Sequence, residues 1–297
     1  MKRSPVNEEN ETVEESGADG FTVSFLYNTI PGRILLKLLI RKTVSELAGS
    51  ILKSPASRVF INGFVRRNNI KMEEYRDVKY KSFNDFFIRE IKEGLRPFPG
   101  SEYEVAAPCD GKLSAYPITA DSYFCIKNSI YSVDSLLQDG DLAAEFADGL
   151  CLIFRLTPDD YHRYCYIDDG EILSYKKING KLHTVRPIAH QRFNIYSQNS
   201  RECTVMQTRN FSKVAQIEVG ALFVGRITNH IKGGAVKRGG EKGMFQFGGS
   251  TVILLFKKDS ITIDEAICEN TSQNRETAVR MGCKTGRKKI FDVEVRQ

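Results

Sequence analysis

The sequence has 297 residues, enough for one or two domains with a buried core. Hydrophobic residues make up 41% and charged residues 27%, the proportions of an ordinary soluble globular protein, and no apolar run reaches the roughly 18 residues of a membrane-spanning helix. The net charge of +6 is uneven, because the first 20 residues carry two basic and six acidic side chains. The basic remainder favours an anionic partner, either a lipid surface or nucleic acid.

The first 20 residues are polar and acidic, which is typical of a disordered tail. They lack the apolar core of a secretory signal, so we expect the protein in the cytoplasm or on the inner side of a membrane. Seven cysteines without a C-x-x-C pair indicate reduced thiols and give no zinc signature. We therefore expect neither disulfides nor a metal.

The stretch "IPGRILLKLLIRKTVSEL" predicts an amphipathic helix over residues 33–47. Arg33, Lys37 and Arg41 recur every four residues and form a basic stripe, with Lys42 at its edge. This pattern fits a core helix with a solvated basic face. It also fits a helix that lies in an anionic membrane interface, since it is too short and too charged to span.

A second helix is predicted at "SFNDFFIREIKEG". Ser82 is a natural N-cap with Asp85 three residues later, and Gly94 is suited to end the helix. The apolar residues of this stretch share one face, which we expect to pack on the body of the protein. They are Phe83, Phe86, Phe87 and Ile91.

From about residue 100 the pattern changes to short strands rich in β-branched and aromatic residues. The sequence thus predicts an α+β fold, in which a short helical N-terminal part precedes a mostly antiparallel β body. The clearest predicted strands cover residues 150–156, 203–208, 213–219, 221–227 and 251–257.

Three short segments offer the parts of an activated hydroxyl. Asp110 lies in a turn in "PCDG", His162 follows a strand in "DYHR", and Ser250 follows two glycines in "FGGSTVILLF". Each motif alone is also an ordinary structural feature, because Asp-Gly and Gly-Gly-Ser are common turns. Taken together, they suggest that the Ser250 hydroxyl attacks the preceding carbonyl, that of Gly249, which would be self-cleavage.

The glycine-rich, basic segment 233–250 does not match a phosphate-binding loop. It lacks the G-x-x-x-x-G-K-[ST] spacing, and a strand follows it where such a loop needs a helix. Nucleotide binding is therefore not expected.

These motifs, in this order and spacing, resemble the phosphatidylserine decarboxylase family. "VGALFVGRI", "FLYNTIPGR" and "FNDFFIREIKEGLRP" are also similar to that family, so the resemblance covers about residues 21–297. Each motif is weak by itself, whereas the ordered set is specific.

The resemblance implies an enzyme whose pyruvoyl cofactor comes from its own backbone. Ser250 would attack Gly249, and elimination and hydrolysis would leave a pyruvoyl group at the start of chain 250–297. Its ketone would form a Schiff base with the substrate amine and act as the electron sink while carbon dioxide leaves. The implied reaction converts phosphatidylserine to phosphatidylethanolamine.

The resemblance also assigns roles residue by residue. Asp110 matches the maturation aspartate, Ser250 the pyruvoyl precursor and His162 the first histidine of the motif. Many members carry a second histidine three residues later, where this chain has Cys165. Cysteine cannot shuttle a proton as imidazole does near neutral pH. Either His162 serves both maturation and decarboxylation, or another histidine replaces the missing one, for which we favour His183.

The complete expectation divides the chain into a disordered tail (1–20), a helical membrane-associating part (21–99) and a β-rich catalytic domain (100–297). The cleaved chains 1–249 and 250–297 would stay associated, at the cytoplasmic side of an anionic membrane that holds the phosphatidylserine, without nucleic acid. Two other functions stay open, a pyruvoyl-dependent decarboxylase of a soluble amino acid and a Ser-His-Asp hydrolase. The hydrolase lacks the G-x-S-x-G pattern around Ser250.

Overall fold

The computed structural model describes residues 49–126, 129–181, 195–220, 227–247 and 250–290. The predicted tail, the predicted basic helix over residues 33–47, Gly249 and His183 lie outside these ranges.

The described N-terminal part is built from short helical segments. Residues 49–53 are helical, and a 3₁₀ helix at Pro55–Phe60 leads into helix α1 at Ile61–Arg67. A second 3₁₀ turn at Met72–Glu74 precedes helix α2 at Phe83–Phe87. The predicted N-cap of α2 is confirmed, because the Ser82 hydroxyl accepts a hydrogen bond of 3.1 Å from the Asp85 N–H.

The prediction that α2 continues to Gly94 is wrong, since the helix ends at Phe87. Beyond it the backbone pairs with an earlier segment: the Arg76 N–H donates to Glu90 O and the Lys92 N–H donates to Glu74 O, both at 2.9 Å. Because the main chain of residues 90–92 forms its hydrogen bonds with residues 74–76, it is extended and does not continue the helix.

The β body follows from residue 104. Its strands are β1 (Glu104–Ala106), β2 (Gly111–Pro117), β3 (Tyr123–Ile126), β4 (Ser129–Ser132), β5 (Leu150–Leu156), β6 (Arg163–Cys165), β7 (Gly170–Ile178), β8 (Arg201–Thr208), β9 (Lys213–Gly220), β10 (Ile227–Asn229), β11 (Gly234–Val236), β12 (Glu241–Phe245), β13 (Ser250–Phe256), β14 (Ile261–Ile263), β15 (Thr277–Val279) and β16 (Lys284–Lys288). Its helices are α3 (Val133–Leu137), α4 (Gly140–Ala144), α5 (Ile195–Gln198) and α6 (Glu265–Ser272).

Eight of these strands form one antiparallel sheet in the order β11-β7-β8-β9-β13-β5-β2-β15. Strand β13 lies near its centre, and each of its residues pairs with β5 on one side and with β9 on the other. All of its residues are buried. Burial on both faces explains why its sequence is a continuous apolar run without alternation.

A three-stranded sheet, β10-β12-β6, packs against one face of the large sheet. The contacts include a hydrogen bond from Gln216 Nε2 to Cys165 O of 3.3 Å and an ion pair between Lys242 Nζ and Glu218 Oε2 of 2.7 Å. In the antiparallel register Ser250 lies on this same face, because it pairs with Gly220, two residues beyond Glu218. Ser250 therefore points into the space between the two sheets.

Three hydrophobic clusters stabilise the described part of the molecule, the smallest of them around Tyr166 and Met206. The main one fills the body on both faces of the large sheet. The second is aromatic, and in it Phe247 contacts Phe83 and Phe87 with ring centroids 5.1 Å apart. This aromatic cluster joins the helical part to the segment just before Ser250.

The predicted fold class is confirmed, with short helices followed by a mostly antiparallel β body. Predicted strand 150–156 coincides with β5, and the strands predicted at 203–208, 213–219 and 251–257 correspond to β8, β9 and β13. Of the strand predicted at 221–227, only Ile227 is among the described residues, and it begins β10.

Candidate active site

Ser250 is the first residue of β13, where it pairs with Leu156 and Gly220. Its side chain is fully buried, and its Oγ has no hydrogen-bond partner among the described residues. Leaving a buried hydroxyl unpaired costs about 1–3 kcal/mol. Such a group in a folded protein calls for an explanation, and a reactive role is one.

His162 lies in the loop between β5 and β6, with a fully buried ring. Its Nδ1 is 2.9 Å from Asp160 O, and the ring centroid is 4.1 Å from that of Phe87. A carbonyl only accepts hydrogen bonds, so Nδ1 carries the proton and Nε2 presents a lone pair. Nε2 has no hydrogen-bond partner among the described residues, which makes it a free acceptor in an apolar setting.

Burial also sets the protonation state of this histidine. It lowers the pKa of His162 to about 3, with a smaller contribution from the Arg89 guanidinium, and the hydrogen bond to Asp160 opposes both. At neutral pH the imidazole is therefore uncharged, as a proton acceptor must be.

Asp110 directly precedes β2, at the same end of the large sheet at which Ser250 begins β13. Strand β5 lies between β2 and β13, and neighbouring strands are about 4.8 Å apart, which puts the two backbones roughly 10 Å apart. The carboxylate is buried and accepts hydrogen bonds from Arg96 Nε at 3.0 Å, from Arg96 Nη2 at 2.8 Å and from the Met281 N–H at 2.7 Å. A Cβ on Gly111 would lie 2.9 Å from Arg155 O, so a glycine after Asp110 lets β2 approach β5 closely.

Cys165 lies three residues after His162, where the resemblance leads us to expect a second histidine. Its N–H and its Sγ both donate to Pro108 O, at 2.9 and 3.2 Å. Burial raises the pKa of the thiol, so it stays protonated and serves as a donor. Cys165 thus cannot accept the serine proton, in agreement with the sequence argument.

The structure brings Ser250, His162 and Asp110 to one end of the large sheet, but among the described residues no hydrogen bond joins Asp110 to a histidine. Asp160 O orients His162, and Arg96 engages Asp110. This arrangement differs from a Ser-His-Asp relay, in which the carboxylate orients the imidazole.

Of the other histidines, His230 has a partly exposed side chain, and its Nε2 is 2.6 Å from Glu241 Oε1. His183 and His190 are outside the described residues.

Three residues around the site were not predicted to take part. Phe87 was predicted only as a packing residue, and Arg89 and Arg96 were not singled out. The available signal was their place in "FNDFFIREIKEGLRP", one of the stretches similar to the family. A basic residue ordinarily points to solvent, so neither arginine was expected to be buried.

No helix in the described part of the chain is both long enough and apolar enough to cross a bilayer. Within the same ranges, no group of three or more His, Cys, Asp or Glu side chains is placed to hold a metal ion.

Comparison with known proteins first gives the class of enzyme. The family model that describes phosphatidylserine decarboxylase matches residues 83–287, which include Asp110, His162 and Ser250. The family consists of carboxy-lyases, and this chain belongs to the phosphatidylserine decarboxylase family. This membership confirms the predicted decarboxylation of phosphatidylserine.

Relatives extend the similarity over most of the chain. The phosphatidylserine decarboxylase proenzyme 2 of Clostridium acetobutylicum is 50% identical over 266 residues, 89% of this chain and 91% of that protein. The proenzyme of Ruminiclostridium cellulolyticum is 40% identical over 90% of this chain and 91% of its own length. That of Chlamydia muridarum is 38% identical over 95% of this chain and 96% of its own length. The name proenzyme belongs to proteins made as precursors.

Proposed function

We propose that the chain is a precursor that cleaves itself between Gly249 and Ser250 and thereby makes the pyruvoyl group with which it decarboxylates phosphatidylserine. The observation that carries this proposal is that two fully buried atoms at the site, Ser250 Oγ and His162 Nε2, have no hydrogen-bond partner among the described residues. One is a latent nucleophile and the other a neutral acceptor, as activation of a hydroxyl requires.

Cleavage proceeds in three steps in this proposal. The Ser250 oxygen bonds to the Gly249 carbonyl carbon as its proton leaves, and the peptide C–N bond breaks to give an ester and a free amine. Removal of the Cα proton of residue 250 then breaks the Cβ–O bond, which leaves a carboxylate on Gly249 and dehydroalanine at 250. Water replaces the nitrogen, ammonia leaves and a ketone remains.

We assign the first proton transfer to His162, because its neutral Nε2 has no hydrogen-bond partner in the described part of the chain. This assignment adopts the possibility that one histidine serves both maturation and turnover, ahead of His183. Asp110 takes part indirectly in this proposal. Its carboxylate binds Arg96 and the Met281 N–H and so fixes both at the end of the sheet where Ser250 reacts.

The surroundings of Ser250 fit the group that would replace it. A pyruvoyl is similar in size to serine, and β13 would keep its pairing with both β5 and β9 after the chain is cut. The two chains, 1–249 and 250–297, would therefore stay associated. When formed, the ketone supplies an electron sink as carbon dioxide leaves the substrate. Phe87 and the buried setting of His162 would keep water from this point.

The helical part supports association with the cytoplasmic side of an anionic membrane. Its described segment exposes apolar side chains beside a cation: Val59 is 77% and Phe60 57% exposed, and Arg58, which precedes them in the chain, is exposed as well. Isolated exposed apolar residues are common, but exposed apolar and basic residues side by side are typical of a lipid-facing surface. The predicted basic helix over residues 33–47 would extend this surface.

The test is the Ser250→Ala variant, followed on a denaturing gel. It should remain one chain without decarboxylase activity, because no hydroxyl is left to attack Gly249. Ser114→Ala is a matched control, since Ser114 is also a buried serine of the large sheet. The control should cleave normally. A C-terminal fragment of normal size from Ser250→Ala would refute the mechanism.

A further inference from the structure

Arg89 is an unusual buried cation. It is 2% exposed, and no carboxylate among the described residues contacts its guanidinium. Nη2 donates to Tyr75 OH and Asp159 O at 3.2 Å and to Asp160 O at 3.3 Å, whereas Nε and Nη1 have no hydrogen-bond partner in the described ranges. The guanidinium carbon is 4.3 Å from the Tyr75 ring centroid and 5.1 Å from that of Phe86. Stacking therefore supplies part of its stabilisation.

Arg201 shows how this fold satisfies a structural arginine. It is 1% exposed and also lacks a carboxylate partner among the described residues. Its nitrogens donate to four main-chain carbonyls at 2.6 to 2.9 Å, those of Leu136, Ser197, Asn199 and Ser135. Arg89 has longer hydrogen bonds, of 3.2 to 3.3 Å, and two of its nitrogens lack a partner among the described residues, so stability alone gives a poor account of its burial.

What distinguishes Arg89 is its link to His162. Both side chains donate to the same carbonyl. Asp160 O accepts a hydrogen bond of 3.3 Å from Arg89 Nη2 and one of 2.9 Å from His162 Nδ1. The ring of Phe87, two residues before Arg89, contacts the imidazole with the centroids 4.1 Å apart and the ring planes tilted by 41°. The segment that ends α2 thus contacts His162 through a ring and through a shared carbonyl.

The other charges near His162 are neutralised or solvated. The Asp160 carboxylate accepts from Thr157 and is 3.4 Å from Lys112 Nζ, and Asp159 is exposed. Arg163 pairs with Glu90 and Glu241, and the neighbouring Tyr161 has its pKa raised by burial, so it stays neutral. On β12, Lys242 pairs with Glu218. Among the described residues that surround the imidazole, Arg89 carries the buried charge without an opposite partner.

We propose that Arg89 is a positioning residue that keeps His162 uncharged with its proton on Nδ1, so that Nε2 is free for Ser250. The charge of Arg89 disfavours a second positive charge on the imidazole, and its hydrogen bond fixes the carbonyl that selects the tautomer. The use of Nε2 by Ser250 rests on the proposed function. The state of His162 does not.

The test follows His162 by nitrogen-15 NMR in full-length Ser250→Ala protein, which stays one chain. The sequence has only four histidines, so His162→Gln assigns the signal. With Arg89 present, His162 should be neutral and protonated on Nδ1 from pH 8 down to pH 5. In Arg89→Gln its titration midpoint should rise by roughly 1–3 pH units, the size of shift that a neighbouring charge produces.

Arg201→Gln removes a buried arginine whose hydrogen bonds go to the carbonyls of Leu136, Ser197, Asn199 and Ser135 and not to Asp160 O, so it should leave the His162 midpoint unchanged. An unchanged midpoint in folded Arg89→Gln protein would overturn the proposal. So would a proton on Nε2, or a midpoint above pH 6, in the protein that retains Arg89, and this measurement decides the matter even when Arg89→Gln fails to fold. If the proposed function alone is wrong, the chain with Ser250 does not cleave itself while the NMR result stands.

Discussion

Lys242 and Ser250 are both fully buried between the two sheets, yet their polar atoms are surrounded differently. Lys242 Nζ contacts Glu218 Oε2 at 2.7 Å and Asn229 Oδ1 at 2.9 Å. Ser250 Oγ has no partner among the described residues, and neither has His162 Nε2. The first arrangement is what a buried charge needs to be tolerated. The second is what we expect if these two atoms take part in the proposed cleavage.

The largest expected effect is on the rate of self-cleavage, which should differ between variants of His162 and His183. His162→Ala should slow self-cleavage by about 10²–10⁴-fold, the usual contribution of a general base, because it removes the free Nε2. His183→Ala should cleave at nearly the normal rate. A time course on a denaturing gel measures both.

The reverse result, slow cleavage in His183→Ala and normal cleavage in His162→Ala, would show that His183 replaces the histidine absent at Cys165. Cys165→His adds an imidazole at the position where many family members have one. In the His162→Ala background it should recover part of the rate.

Breaking the buried ion pair between Lys242 and Glu218 should destabilise the fold. Lys242→Met leaves Glu218 buried without its counter-ion, which costs about 3–5 kcal/mol of unfolding free energy. The double variant Lys242→Met, Glu218→Gln removes both charges and should recover most of that loss. Urea unfolding in the Ser250→Ala background provides the measurement. Equal stabilities of the single and the double variant would contradict the account.

The buried, uncharged imidazole of His162 should make the free energy of unfolding depend on pH. The pKa of His162 is about 3 in the folded protein, against about 6.5 when unfolded. The unfolded chain therefore binds the extra proton between these values, and the free energy of unfolding should fall as the pH drops below 6.5, by up to about 1.4 kcal/mol per pH unit.

His162→Gln should remove this contribution, so the difference between the two proteins isolates it from other titrating groups. Ser250→Ala is again the background, and urea unfolding at several pH values is the measurement. Identical pH dependence in both proteins would mean that His162 is not held neutral by burial.

The smallest effect concerns the surface of the helical part. Arg33, Lys37, Arg41 and Lys42 should each contribute about 1 kcal/mol to binding of anionic vesicles, and added salt should weaken the binding. The test variant has all four replaced by glutamine. The control variant has four exposed cations of the β body replaced by glutamine, namely Lys177, Arg209, Lys258 and Lys284. Equal binding by both variants would remove the helix from the account.

Sequence reasoning succeeded where one local property determines the structure. Strands β5 and β13 are continuous runs of β-branched and large apolar residues, because both faces are buried, and their bounds were predicted to within a residue. Ser82 was recognisable as an N-cap from its spacing to Asp85.

Sequence reasoning failed where distant segments meet. Helix α2 ends early because residues 90–92 pair with residues 74–76, and no local signal announces that pairing. The contact of Arg96 with Asp110 and the burial of Arg89 beside the His162 loop likewise depend on tertiary packing. For the site, the sequence suggests which residues react, and this stays a prediction; it does not suggest which side chains contact them.

The central claim is that Ser250 becomes a pyruvoyl group, and the intact mass of the purified protein tests it most directly. The account predicts two chains that separate only on denaturation, one ending at Gly249 and one of 48 residues beginning at position 250. The shorter chain should be lighter by one ammonia than the same peptide with an N-terminal serine, and reduction with borohydride should add two hydrogens to its ketone. A single chain of full mass in active enzyme, or a fragment that still begins with serine, would contradict the account.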